Sequence, residues 1–155
     1  MKAIVYQSRA TVSLEESALV ELAEQFAANN KTLQVTGYLC FQRGKFFQYI
    51  EGDNEVVTDL MARIARDDLH DVMRSYADEQ LASRRFPSWS MKYVQPQMSG
   101  VVSLEQIVKE HFERINASIG YEEKWVELIW SAVEKIADLQ HSLGAVTNES
   151  HSVHE

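Results

Sequence analysis

Between Val35 and Gly52 the chain carries two apolar, aromatic-rich runs joined by Gln42-Arg43-Gly44-Lys45. This pattern reads as a β-hairpin, with Gly44 able to take positive φ cheaply in the turn. Alternation in the second run sets Phe46, Gln48 and Ile50 on one face and Phe47, Tyr49 and Glu51 on the other. An uncharged amide, Gln48, is therefore set among apolar neighbours. Buried without hydrogen bonds it would cost about 1–3 kcal/mol. Any fold for this chain has to give Gln48 partners.

The flanking sequence supplies the rest of a sheet. Lys2 to Gln7 reads as a first strand, with Ile4 and Tyr6 on one face and Ala3 and Val5 on the other. Ser13 and Glu16 fit a capping box for a helix that carries Leu19, Leu22, Ala23 and Phe26 at helical spacing and stops near Asn29-Asn30. After the turn and cap at Gly52-Asp53-Asn54, a second amphipathic helix runs through Val57, Leu60, Met61 and Ile64 to about Asp67-Asp68. Strands are expected at Val72 to Gln80 and, past the Pro87 break, at Trp89 to Val94. The order β-α-β-β-α-β-β implies an α+β, ferredoxin-like fold with an antiparallel sheet and both helices on one face. Both faces of the hairpin are apolar, so the second face also needs cover. Ser103-Leu104-Glu105-Gln106 fits a second capping box, and a further helix is expected from Glu122 to Leu143. These C-terminal helices would cover the second face or form a subunit interface. The expected division is a domain at 1–95, a helical extension at 96–145 and a disordered tail at 146–155.

Composition narrows the function. A length of 155 residues with 45% hydrophobic content fits one core-forming domain. The net charge of −8 argues against nucleic acid as a partner, since phosphate contacts need basic patches. Cys40 is the single cysteine, which excludes an internal disulfide and a cysteine metal cluster. No apolar stretch reaches the roughly 20 residues of a membrane span, so no membrane association and a cytoplasmic location are expected.

Few residues stand out for chemistry one at a time. Tyr6 reads as a core tyrosine, Asn29 and Asn30 as a helix stop, Trp89 as a sheet-edge aromatic, and Arg63 with Asp67 as a helical ion pair worth a few tenths of a kcal/mol. The histidines at 70, 111, 141, 151 and 154 lack metal-ligand spacing, so no metal is expected. Neither a phosphate-binding glycine loop nor a nucleophilic triad is suggested.

Together, in order and spacing, these residues say more. Tyr6-Gln7-Ser8, Asn29-Asn30, Val35-Thr36-Gly37, the Phe46 to Gly52 run, Arg63 to Asp67 and Trp89-Ser90-Met91 resemble the BLUF domain, a blue-light sensor that uses flavin, over about residues 1 to 95. The resemblance implies that a flavin, usually FAD, lies between the two helices, with FMN or riboflavin as other occupants. Tyr6 would donate an electron and proton to the photoexcited flavin, and Gln48 would stand between Tyr6 and the ring's N5 and C4 carbonyl edge. Asn29 and Asn30 would hold the pyrimidine edge. Arg63, Ile64, Asp67 and His70 would fall in the flavin-contact region. Trp89 and Met91 would transmit the signal, and as residues two apart on one strand they would face the same side and compete for one place near Gln48. Many family members carry Arg before the histidine of an Asp-x-Arg-His run, where this chain has Asp67-Asp68-Leu69-His70, so an outer contact to the flavin tail is unassigned there.

The implied protein is a short stand-alone photoreceptor, not an enzyme, that acts on a separate signalling protein or by changing its own homo-oligomer. Two other readings differ in class. An acylphosphatase-like hydrolase on the same fold would need an anion-binding loop, for which Ser8-Arg9-Ala10 is a weak match. A flavin-binding interaction module without a photocycle is opposed by the presence of both Tyr6 and Gln48.

Overall fold

The hairpin forms where the alternation places it. Strand β2 (Thr36–Gln42) pairs antiparallel with β3 (Lys45–Gly52), and Gln42 lies opposite Lys45. Arg43 and Gly44 both take positive φ, 54° and 76°, the turn geometry whose twist matches a two-residue hairpin. The computed structural model describes residues 1–94, 126–127 and 129–138. The expected helix after Ser103 and the tail at 146–155 lie outside the described residues. The chain divides into two units, Met1–Gln106 and Ile107–Glu155.

In the first unit, β1 (Lys2–Ala10) leads into α1 (Glu16–Thr32), the hairpin follows, and then come α2 (Asn54–Ala65), β4 (His70–Asp78) and β5 (Lys92–Tyr93). The five strands lie in the order β4-β1-β3-β2-β5. All neighbours are antiparallel except β2 and β5, which run parallel. The expected all-antiparallel sheet is therefore mixed. The chain after β4 crosses to the far edge and joins β2 heading in the same direction.

One face of the sheet buries Ile4, Leu39, Phe46 and Ile50 against Leu19 and Ala23 of α1 and Val57 of α2. The opposite face buries Tyr38, Phe47 and Tyr49, and Phe86 packs on it edge-on to Tyr38 and Tyr49. The two helices lie on one face, as expected, and within this unit Phe86 lies on the other. In the second unit, residues 126–127 and 129–138 are helical, and Ile129, Ala132, Val133, Ile136 and Ala137 form a buried stripe at helical spacing. This agrees with the helix expected from Glu122 to Leu143 over the residues described.

Several boundaries differ from expectation. No capping box forms at Ser13: Glu15 occupies the N-cap of α1 without a side-chain hydrogen bond. The Glu16 carboxylate is engaged elsewhere, accepting from the Tyr93 hydroxyl at 3.3 Å. Helix α1 continues past Asn29-Asn30 to Thr32, and the chain reverses at Gln34, which takes φ 55°. In contrast, Asp53 caps α2 as expected, accepting from the amides of Glu55 and Val56. Strand β4 begins two residues earlier than expected because β1 itself extends to Ala10, with a register shift between Gln7 and Ser8. The expected strand at 89–94 shrinks to Lys92–Tyr93.

Gly37 tests how tightly the hairpin is packed. Its φ is 154°, and a Cβ there would meet the Tyr49 carbonyl oxygen at 1.8 Å. Gly44 also has positive φ, but a Cβ there meets nothing within 4 Å. Gly37→Ala should therefore cost about 3 kcal/mol or more through overpacking and strain. Gly44→Ala should cost only about 1 kcal/mol. Denaturant unfolding of both variants checks the difference.

Candidate functional site

Tyr6 and Gln48 lie directly opposite each other on adjacent strands β1 and β3. The register places both on the helix-covered face, and both are buried, at 3% exposure each. The Tyr6 hydroxyl donates to Gln48 Oε1. Gln48 Nε2 in turn donates to the Met91 sulfur at 3.2 Å. Gln48 thus receives the partners that burial demands, one at each end of its amide.

Burial pushes the Tyr6 phenol well above its ordinary range, and the Asp67 carboxylate adds to the effect. The phenol is therefore held neutral at ordinary pH. Such a group does not release its proton alone. It can release proton and electron together if an acceptor stands at the other side of Gln48.

That side is a cavity of about 440 Å³, within the size range of small-molecule sites. From α1 and the residue after it come Phe26, Asn29, Asn30, Thr32 and Leu33; from α2 come Leu60, Arg63 and Ile64. Asp67 joins from just beyond α2, and Gln48 contributes from β3. Asn30 is buried and Asn29 exposed. Four large apolar side chains with an amide pair, a second amide and an Arg–Asp set suit a flat, largely apolar heterocycle that has one hydrogen-bonding edge. The donor set fits an isoalloxazine ring.

Six of the residues singled out in the sequence therefore line one cavity: Asn29, Asn30, Gln48, Arg63, Ile64 and Asp67. His70 is not among its lining residues. It is buried against Tyr6 and Phe46, with ring centroids 5.9 and 5.7 Å away, and its Nδ1 lies 2.6 Å from Ser8 Oγ. Phe26 and Leu60 line the cavity although their spacing marked them only as helix core. Their apolar periodicity could not separate packing on the sheet from packing on a ligand.

Trp89 and Met91 do not face the same side. Met91 belongs to the core beneath the helices, whereas Trp89 stacks on Phe86, at 5.3 Å between centroids, with the residues of the other face. The alternation argument fails because residues 89–91 precede the strand and are not extended.

A buried phenol is thus hydrogen-bonded to an amide that lines a cavity suited to a flat heterocycle. The chain belongs to the BLUF family: residues 1–92 match the model described as sensors of blue-light using FAD. The BLUF domain is a sensor and not itself a catalyst. Photoactivated adenylate cyclase subunit beta of Euglena gracilis is 30% identical over 94 residues, which are 59% of this chain and 11% of that protein. The chain thus spans about a tenth of the length of the curated relatives it matches. Among solved structures, BlrB, a BLUF protein in its dark state, superposes with TM-score 0.60 at 25% identity over 86% of this chain and 96% of that one. A bacterial light-regulated adenylyl cyclase gives TM-score 0.60 at 27% identity over 86% of this chain and 39% of that one. Of these, the first is a photoactivated and the third a light-regulated cyclase. No described helix is long and apolar enough to cross a membrane.

His70 makes this region pH-sensitive. Burial lowers its pKa below the ordinary 6.5, against the opposing pull of Asp67, a backbone hydrogen bond to Ile64, and Asp71. The unfolded chain takes up the proton first, so this contribution to stability is present above 6.5 and lost as pH falls from there toward the folded value. His70→Gln should flatten that loss. Thermal melts of both proteins between about pH 7.5 and pH 5.5 should show a smaller Tm drop in the variant.

Proposed function

We propose that this protein senses blue light through a flavin held between α1 and α2, and that Tyr6 and Gln48 convert absorption into a changed hydrogen-bond network. The observation that carries the reading is the buried chain from the Tyr6 hydroxyl to the Met91 sulfur through the amide of Gln48, a residue that lines the cavity. Bound flavin supplies blue absorption and an excited state that accepts an electron. Tyr6 would be the donor of that electron, with its hydroxyl proton held on the bond to Gln48 Oε1. Because the phenol is neutral and buried, the two transfers are coupled, and the return of both restores Tyr6.

Gln48 keeps the memory of the event. Its amide has an acceptor end and a donor end, so rotation or tautomerisation reverses what Tyr6 and Met91 each meet. In the dark arrangement the Met91 sulfur receives an N–H; after rotation of the amide it would face an oxygen with nothing to donate. That difference favours a new position for the segment around Met91. Asn29 and Asn30 would hold the polar ring edge, Ile64 would press on the ring, and Arg63 and Asp67 would meet its outer parts. Output would pass along the segment after Met91 into the C-terminal helices, and from there to a separate signalling protein or to the association of this chain with itself.

The visible spectrum in darkness, after blue light and on recovery tests this. A flavin band that shifts slightly to the red and returns is expected. Tyr6→Phe and Gln48→Leu should each bind flavin and lose the shift; a normal photocycle in either would remove its assigned role. A yellow protein without any shift would leave a flavin-binding module, and a protein that cannot be loaded with flavin would refute the reading. Asn30→Ala should weaken flavin binding about tenfold, the loss of about one well-made hydrogen bond, measured by fluorescence titration of the apoprotein.

A further inference from the structure

Glu51 is fully buried on the face of β3 opposite Gln48, at 0% exposure. A carboxylate so placed needs strong compensation for the water it has lost. It receives two hydrogen bonds at each oxygen. Oε1 accepts from Thr36 Oγ1 at 3.1 Å and from the Phe86 amide at 2.7 Å. Oε2 accepts from the Tyr49 hydroxyl at 2.9 Å and from the Arg85 amide at 2.8 Å. Two of the four donors are consecutive backbone amides, so this carboxylate grips main chain. Arg84 adds to the same anchor, donating to the Gln34 carbonyl at 2.7 Å and to Thr36 Oγ1 at 2.9 Å.

From this anchor the chain passes round the β2 edge of the sheet. Phe86 and Trp89 stay stacked on the Glu51 side. The Trp89 carbonyl then accepts from the Gly37 amide at 2.7 Å. Two residues later Met91 is on the other face, its sulfur 3.2 Å from Gln48 Nε2. Gln48 and Glu51, three apart on one strand, hold the same segment from opposite faces.

We infer that Glu51 is a positioning residue for the photochemical site: its grip on the Arg85 and Phe86 backbone sets the path that brings Met91, and not Trp89, to the Gln48 amide. Bringing Trp89 to that place would carry it off Phe86 and shift the chain by two residues past Gly37. Glu51 holds the end from which such a shift must start. The inference rests on the sensor reading for its meaning, but the placement of Met91 is a property of the dark protein.

The test uses the flavin-loaded 155-residue chain with methyl-labelled methionine, the Met91 signal being assigned with Met91→Leu. Glu51→Gln keeps the size of the side chain and turns one acceptor oxygen into a donor that faces two donors. In darkness the Met91 methyl signal should be displaced or split while flavin stays bound, and recovery from the lit state should quicken about threefold. Thr36→Val removes a single donor and should move the same signal less, in the same direction. It decides the matter alone if Glu51→Gln does not fold. Val5→Ala, a core truncation in β1, should lower Tm and leave Met91 in place. An unmoved Met91 signal in Glu51→Gln and Thr36→Val, or an equal displacement in Val5→Ala, overturns the inference. Absence of a red shift in the unaltered protein would sink the sensor reading, while the dark Met91 signal still decides the role of Glu51.

Discussion

The structure depends on β3 being buried on both faces while carrying two polar side chains that must be satisfied there. Gln48 faces the helices and Glu51 faces the opposite side, both buried within the central run of the sheet. In a low-dielectric interior each uncompensated polar group is costly, so arrangements that supply partners to both are favoured. For Gln48 the partners come from β1 and from the segment before β5. For Glu51 they come from β2, β3 and the loop after β4. Sheet order, loop path and site geometry follow from meeting these demands together.

This arrangement explains how one strand can link a ligand site to the chain beyond it. The cavity side holds Tyr6 neutral and poised, with the Gln48 amide between it and Met91. The far side ties the backbone of the same segment to Glu51 and stacks Phe86 between the tyrosines and Trp89. On the proposed mechanism, a reversed amide on one face would act on a segment whose other end is held, so the response would be a change of path near Met91 instead of a general loosening. The tyrosine pair Tyr38 and Tyr49, stacked 5.7 Å apart, gives that fixed end a rigid surface.

Much of this was legible in the residues. The alternation from Phe46 to Glu51 announced both faces of β3, and Asp53 announced the start of α2, because strand and cap signals are local. Asn29, Asn30, Arg63, Ile64 and Asp67 were marked by resemblance and come together at one cavity. What failed failed for tertiary reasons. Ser13 had the chemistry of a cap, but the helix begins later and Glu16 is engaged by Tyr93 across the fold. Trp89 and Met91 had strand spacing, but the chain at that point turns round a sheet edge, and alternation has no meaning outside an extended backbone. His70, which the resemblance sets in the flavin-contact region, is not among the cavity's lining residues and contacts Tyr6 and Ser8.

Sequence alone determined the hairpin, the two amphipathic helices and the presence of a buried amide and a buried phenol on one face, since period and residue chemistry act over a few positions. Tertiary structure decided the parallel pairing of β5 with β2, the side of the sheet on which Trp89 rests, and the four donors that converge on Glu51. Apart from Tyr49, the donors to Glu51 lie 15 to 35 positions away from it, and their pairing is set by which polar groups can satisfy one another once the sheet has closed.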